Sequence, residues 1–485
     1  MRYHSTRGAS APVPAVQALL SGAAKDGGLF VPESLPSRQA IGPLGPGYGD
    51  VAVRMLAAFF PEVVTEQVAA QLQAAYARFD AAGVTPLVPV GGSFVLELFH
   101  GPTAAFKDLA LQALPLLLAR ARELASPDLR YAVLTATSGD TGSAAMEGFR
   151  DIPGFSVLVY YPMKGISPMQ QAQMTRMPGD NLKAVGIRGN FDDAQAAVKD
   201  AFQQQEALLP PGMALTSANS INIGRLVPQM VYYITACREL TQKHGVQPGQ
   251  DIDFIVPTGN FGDILAGYLV KRLGWPIGRL VCASNENRVL TDFLATGRYD
   301  KNRALRTSLS PAMDILVSSN LERLLYYAFL EDTHKVQALM ADLARDGHYQ
   351  VSGPALSHIQ EHFQGASATD GDTLTAIRQV FGEYRYLMDP HTATAWLAQE
   401  ALGPSRNPRV VLATASPFKF PKTVLAAINK PVPKDPAQLL PSLEAAAGQP
   451  VPRALAAVLT RPVRHRDLVD REDILQDITW RLAAW

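Results

Sequence analysis

The chain has 485 residues, a length that predicts two or three lobes instead of one core. Hydrophobic residues make up 47% and charged residues 18%, the balance of an ordinary globular protein. Lys plus Arg equals Asp plus Glu at 44 each, which argues against a nucleic-acid or membrane-surface role driven by bulk charge. The two cysteines, Cys237 and Cys282, lack metal-ligand spacing, so no metal is expected and a reducing compartment is the default. No apolar run approaches the ~20 residues needed to span a bilayer. The N-terminus, with Arg2, His4, Arg7, Pro12 and Pro14 ahead of Lys25 and Asp26, reads as a folded start and not a signal peptide. The expected location is the cytoplasm.

In chain order, residues 1–85 read as a separate unit. It opens with a helix over Ala15–Ala24, closed by Gly27-Gly28, and an extended piece Leu29–Pro32. A Gly/Pro-rich loop Ile41–Asp50 leads to helices over Val51–Phe60 and Val63–Phe79. From Pro86 short apolar runs alternate with longer helical ones. Phe94–Phe99 predicts a strand, His100–Thr103 a turn, and the run from Ala104 through Leu109, Ala113, Leu116 and Leu117 a helix, kinked at Pro115. Further strands are predicted at Tyr131–Thr135, Phe155–Tyr160, Leu182–Ile187, Met213–Thr216, Phe254–Val256, Leu280–Ala283 and Val410–Ala413. Helices such as Ser143–Phe149, Asp193–Gln205, Leu226–Thr241 and Gly262–Leu273 fall between them. This alternation predicts parallel sheets with helices on both faces, and ligands outside the carboxyl ends of the strands. Residues 320–400 read as mainly helical. Residues 431–485 open on a Pro-rich linker (Pro431, Pro433, Pro436, Pro441) and close on a helix over Arg464–Trp485.

Lys107 falls in the first turn of its helix, where a cation is disfavoured by the helix dipole. Either its long side chain bends to water, or its charge is suppressed so that it can form an imine. The loops after the strands bear on that choice. Thr137-Ser138-Gly139-Asp140-Thr141 precedes a helix and offers hydroxyls and amides to an anion, although Asp140 or Thr141 acting as a plain cap explains it as well. Gly259-Asn260-Phe261-Gly262-Asp263 has the glycines and free helix-start amides that grip a phosphate, yet it matches neither a Walker A loop nor a dinucleotide fingerprint. A tight turn is its structural reading. Ser217–Arg225 is dense in donors, with two Asn, two Ser and one Arg in nine residues, and its Arg225 can bind a phosphate or carboxylate; a structural loop with local Asn and Ser bonds explains it equally well. Thr414 ends the last strand, where its hydroxyl meets either a buried ring atom or backbone.

Taken together, a lysine, a phosphate grip and a hydroxyl-rich anion loop point to pyridoxal phosphate. The chain resembles the threonine synthases, in the fold type II group of pyridoxal-phosphate enzymes. The resemblance rests on Asp26–Pro32, Glu97–Asp108, Thr135–Gly142, Ser217–Arg225, Pro257–Asp263 and Leu412–Phe420, six motifs in the family's order. It implies an α/β fold of two open, parallel-type lobes (residues 86–430), with an added N-terminal lobe (1–85) and a helical C-terminal tail (431–485). It implies that Lys107 carries pyridoxal 5'-phosphate and is the catalytic residue. Gly259, Asn260, Phe261, Gly262 and Asp263 would hold the cofactor phosphate, Thr414 the ring nitrogen, and Asp140 would lie near the phenolic oxygen, where many relatives have Asn. Thr137, Ser138 and Thr141 would take the substrate carboxylate, and Asn219, Ser220 and Arg225 the substrate phosphate. Asp140 resembles the bacterial and fungal branch, not the plant-type one. The implied reaction is O-phospho-L-homoserine plus water to L-threonine plus phosphate, in a monomer that binds neither nucleic acid nor membrane. The competing readings are a fold type II phospho-lyase or serine/threonine deaminase releasing a 2-oxo acid, and a non-catalytic binding protein on the same fold.

Overall fold

A computed structural model describes residues 1–163 and 165–485. Two open sheets dominate it. One has six strands in the order Phe363–Ser367, Ile277–Ser284, Ile252–Pro257, Arg409–Ala413, Ser93–Glu97, Leu87–Val90. All its pairings are parallel except the edge hairpin of Leu87–Val90 with Ser93–Glu97. The second sheet has five strands, all parallel, in the order Leu468–Asp470, Leu182–Arg188, Phe155–Pro162, Arg130–Ala136, Met213–Thr216. Its central strands are apolar runs buried on both faces, as parallel sheets covered by helices require: Val157, Leu158, Val159 and Tyr160 are each 0% exposed. The strands predicted from the sequence are all present.

The helices differ from expectation at points with local causes. The helix expected from Ala104 begins at Lys107 and stops at Leu111, and a second helix runs from Leu114 to Ala125. Ala104 takes a left-handed φ of 56°, which delays the start. Pro115 lies at the start of the second helix, where its missing N–H costs nothing, so it separates two helices instead of kinking one. The first helix of the chain, Ala15–Ser21, is closed by Gly22 (φ 71°), whose N–H donates to Ala18, and not by Gly27-Gly28. The helix expected over Leu226–Thr241 is a short helix, a 3-10 turn at Val227–Gln229 and then Met230–Lys243, with Pro228 at the break.

Residues 1–85 are bound to the rest of the chain by buried polar contacts. The Thr6 hydroxyl and the Arg7 guanidinium all donate to Glu322. Helix Ala15–Ser21 packs on Leu114–Ala125. Arg323, 0% exposed, donates to the carbonyls of Phe30 at 3.0 Å and Ile221 at 2.7 Å and to the Asn320 side chain. The tail is mostly helical, but its closing helix is Ile474–Ala484, shorter than expected. Ile474, Ile478 and Leu482, one helical face, are buried against the helix Phe191–Gln203. Ahead of that helix, Leu468–Asp470 pairs as an edge strand beside Leu182–Arg188, an alternation too short to read in the sequence.

Candidate active site

The cavity lies where the carboxyl ends of both sheets face each other, and its volume is about 680 Å³. Lys107 enters it from a turn stitched to the far end of the large sheet. Phe106 N–H donates to the Thr414 carbonyl at 2.8 Å, and Ser416 N–H to Ala104 at 3.1 Å. Asp108, 0% exposed, accepts from the Thr103 amide at 2.8 Å and its hydroxyl at 2.6 Å, so it clamps the turn and does more than offset a helix dipole. Burial pushes the Asp108 carboxyl up to about 6 against those two hydrogen bonds. Burial also brings the Lys107 ammonium down to about 8. Asp140 works against that shift, while Arg225 and Lys419 reinforce it. Lys107 Nζ stands 3.9 Å from Asp140 Oδ2 and 4.6 Å from the Phe106 ring centre.

Helix Asp140–Phe149 begins at Gly139, which has a φ of 133°. Neither Asp140 nor Thr141 caps it. The Thr137 hydroxyl oxygen does, accepting from the amides of Gly139 at 3.0 Å and Gly142 at 2.9 Å. Its O–H remains available to an acceptor in the cavity. Asp140 stands behind the cavity lining and not on it. Its Oδ1 lies 2.8 Å from Lys419 Nζ and accepts from Gln170 Nε2 at 2.9 Å. Burial acts to raise the Asp140 carboxyl, but the Lys419 and Lys107 ammonium groups outweigh it and hold the group well below the usual carboxylate range.

The glycine loop closes tightly on its neighbours. A methyl group added at Gly259 would stand 2.5 Å from the Ala312 carbonyl oxygen. Ser318 Oγ donates to the Gly259 carbonyl at 2.7 Å, and the Asn320 side chain to Asn260 at 3.0 Å. Phe261 turns the chain through a left-handed φ of 59° into helix Gly262–Arg272, whose start has no side-chain cap. Its first amides therefore face the cavity as a ready anion site. Asp263 lines the same wall, but its Oδ1 accepts from the Tyr232 and Tyr233 hydroxyls at 2.6 and 2.8 Å. Burial raises the Asp263 carboxyl to about 6, and its Oδ2 has no partner among the described residues.

Across the cavity, Asn222 caps the helix Ile223–Leu226 and ties the loop to the Leu19 carbonyl at 2.9 Å. Arg225 is 2% exposed. One of its terminal nitrogens donates to Ala218, and its Nε has no partner among the described residues. Burial pushes the guanidinium down to about 10. Asn219 and Ser220 beside it are partly exposed on the same wall.

Every residue singled out in the sequence lines this cavity except Asp140: Lys107, Thr137, Ser138, Thr141, Asn219, Ser220, Arg225, Gly259, Asn260, Phe261, Gly262, Asp263 and Thr414. Two residues went unassigned. His391, on the cavity wall, accepts from Ala312 N–H at Nε2 (3.2 Å), so its Nδ1–H donates to Asp389 at 2.6 Å. The sequence signal was Asp389-Pro390, an N-cap with proline ahead of a helix. Lys419, 0% exposed, lay inside a motif already singled out, a lysine between two phenylalanines. Among the described residues one set of possible metal donors converges, His358, Glu361 and His362, away from the cavity; His358 Nε2 there is engaged by Tyr268 at 2.8 Å.

An uncapped helix start, a glycine cradle, a buried arginine nitrogen without a partner among the described residues and a buried lysine of lowered proton affinity fit an anionic aldehyde cofactor held covalently. With two parallel sheets meeting over that lysine, the molecule has the build of a fold type II pyridoxal-phosphate-dependent enzyme. A family model described as pyridoxal-phosphate dependent enzyme matches residues 79–414, and models described as the N terminus and the C-terminal part of threonine synthase match residues 2–76 and 392–478. The threonine synthase of Pseudomonas aeruginosa is 40% identical over 445 residues, 90% of this chain and 93% of that one. The crystal structure of threonine synthase from Brucella melitensis with pyridoxal phosphate bound superposes with a TM-score of 0.87 at 37% identity, covering 100% and 99% of the two chains. The yeast threonine synthase structure has the same TM-score of 0.87 at 31% identity, again over 100% and 99% of the two chains. The chain belongs to the threonine synthase family.

Proposed function

We propose that the protein is a threonine synthase, converting O-phospho-L-homoserine and water to L-threonine and phosphate. The observation that carries this reading is Arg225, a buried guanidinium whose Nε has no partner among the described residues, in the same cavity as Lys107. A site built to bind a phosphate is left with unpaired donors when the substrate lacks one, and this selects phosphohomoserine over serine or threonine.

When bound, pyridoxal 5'-phosphate supplies the electron sink that makes protons next to the amino acid α-carbon removable. The chain's residues do the rest. Gly259, Asn260, Phe261 and Gly262 would hold the cofactor phosphate at the uncapped helix start, which Asp263 anchors to the two tyrosines. Thr414 would offer a neutral hydroxyl to the ring nitrogen. Thr137, Ser138 and Thr141 orient the substrate carboxylate at the start of helix Asp140–Phe149, and Asn219, Ser220 and Arg225 orient its phosphate. Lys107 Nζ, with its proton affinity lowered by burial, would take a proton from the α-carbon, give it up, and then take one from the β-carbon as phosphate leaves from the γ-carbon. The γ-carbon is then reprotonated, and water adds with its hydroxyl at the β-carbon while a proton returns to the α-carbon.

In this reading residues 1–85, 86–430 and 431–485 are an N-terminal domain, the catalytic core and a C-terminal tail. The protein works as a cytoplasmic monomer without nucleic-acid partners. Among the described residues no helix is long and apolar enough to cross a membrane. The test is product identification from O-phospho-L-homoserine. Equal release of phosphate and L-threonine is expected, and 2-oxobutyrate in place of threonine overturns the assignment.

A further inference from the structure

The site contains a second buried lysine to which the chemistry above gives no task. Lys419 is 0% exposed and sits on the short 3-10 turn Pro417–Lys419, just beyond Thr414. Its Nζ donates to the Thr103 carbonyl at 2.9 Å and lies 2.8 Å from Asp140 Oδ1. The Lys419 carbonyl accepts from Ser167 Oγ at 2.9 Å. Thr103 and Lys419 extend from the large sheet, while Asp140, Ser167 and Gln170 belong to the small one. The pair therefore bridges the two lobes beneath the cavity.

We propose that Lys419 is a positioning residue for Lys107: it binds and orients the Asp140 carboxylate, so that Asp140 neutralises Lys419 and leaves Lys107 able to give up its proton. The inference rests on the reading of Lys107 as the cofactor-bearing residue. The distances carry it. A carboxylate next to a single lysine closes on it and holds it protonated. Here Asp140 Oδ1 is taken up by Lys419 at 2.8 Å and Gln170 at 2.9 Å, and only Oδ2 faces Lys107, at 3.9 Å, beyond hydrogen-bond length. One cation suffices to satisfy a buried carboxylate. A second one turns the site into a place where an added proton on Lys107 is repelled.

Among the described residues the other charged or titratable groups around the cavity are Arg225 on its loop, Asp263 at the start of helix Gly262–Arg272, and His391, Lys301 and Asp314 on the cavity wall. Burial is the main cause of the lowered Lys107 value, Asp140 opposes it, and Arg225 and Lys419 add to it. These directions agree with the geometry. They also give K419M and D140N opposite consequences, which a merely structural role does not.

The experiment uses the holoenzyme and follows the visible band of the lysine-linked cofactor against pH. K419M is expected to raise the titration midpoint by about one pH unit or more, because Asp140 is freed to serve Lys107 and a repelling cation is gone. D140N is expected to lower the midpoint, K419R to leave it near the parent value, and D140N/K419M to bring it back above D140N. A midpoint unmoved by K419M, or raised by D140N, overturns the proposal. Should K419M fail to fold, D140N and D140N/K419M decide, and equal midpoints in those two overturn it. A parent protein that takes up no pyridoxal phosphate defeats the cofactor reading itself. A parent with a normal band whose midpoint ignores Lys419 defeats only this inference.

Discussion

Replacing Arg225 with methionine separates binding chemistry from stability. The side chain is 2% exposed, and none of the carboxylates among the described residues pairs with it. Burial brings the guanidinium from 12.5 down to about 10, a drop worth ~3 kcal/mol against the folded, cofactor-free state at ~1.4 kcal/mol per pH unit. Methionine follows the arginine stem and needs no charge partner. Its cost is the Ala218 carbonyl left without a donor, about 1–2 kcal/mol. Arg225→Met is therefore expected to unfold at an equal or higher denaturant concentration than the parent. Its kcat/KM on phosphohomoserine is expected to fall sharply. Two charge-assisted hydrogen bonds to a phosphate, at ~1.5–3 kcal/mol each, correspond to a loss of about a hundred- to ten-thousand-fold. Urea unfolding of the cofactor-free variant, a pyridoxal phosphate titration and steady-state phosphate release measure the three quantities. A variant that loses more than ~2 kcal/mol of stability, or that loses cofactor in proportion to activity, refutes the argument that Arg225 is reserved for substrate.

Uptake of pyridoxal phosphate by the cofactor-free protein should accelerate about tenfold per pH unit up to about 8, where Lys107 becomes mostly neutral, and level off above. A flat profile between about pH 6 and pH 9 contradicts a lysine of lowered proton affinity. Arg323→Met leaves the Phe30 and Ile221 carbonyls and the Asn320 side-chain oxygen without their donor. Counting ~1–2 kcal/mol for each lost hydrogen bond against ~3 kcal/mol of relief from a guanidinium that burial also brings down to about 10, it should cost about 0–3 kcal/mol in chemical denaturation, and a variant more stable than the parent would mean that the N-terminal unit is held by other contacts. Gly148→Ala places a methyl 2.0 Å from the Leu111 carbonyl oxygen, where the lysine-bearing helix meets the helix of Asp140. It should destabilise the protein by about 1–3 kcal/mol and weaken cofactor binding, and a variant with parental cofactor affinity argues that the helices are free to adjust.

The strands were legible because parallel strands covered on both faces must be continuous apolar runs. Phe155–Tyr160 and Val410–Ala413 could be read directly. The loops that follow them were legible as chemistry, since glycine at a helix start and hydroxyls before a helix have few other uses in combination. What the sequence could not show is which donor satisfies which acceptor. Thr137, not Asp140, caps its helix, because the chain turns at Gly139 (φ 133°) so that the Thr137 hydroxyl, two residues back, meets the Gly139 and Gly142 amides. Lys419 was invisible for the same reason: its partner, Asp140, is 279 residues away in sequence, and nothing local marks a lysine that is to be fully buried. The strand Leu468–Asp470 has three residues, and its pairing is set by the edge waiting for it rather than by its own pattern.

That last strand has a consequence for how the chain comes off the ribosome. The small sheet is otherwise complete once residue 216 has been made, yet one side of Leu182–Arg188 stays bare until residues 468–470 emerge. The large sheet is interrupted in the same way, with Ser93–Glu97 waiting for Arg409–Ala413. For most of its synthesis the nascent chain thus carries unpaired sheet edges, the surfaces most prone to pairing with a neighbouring copy. Residues 468–485, down to the Trp485 carbonyl that accepts from Arg130, act as the closure of a lobe begun 355 residues earlier. Removal of residues 468–485 should therefore lower yield through aggregation without touching the active site.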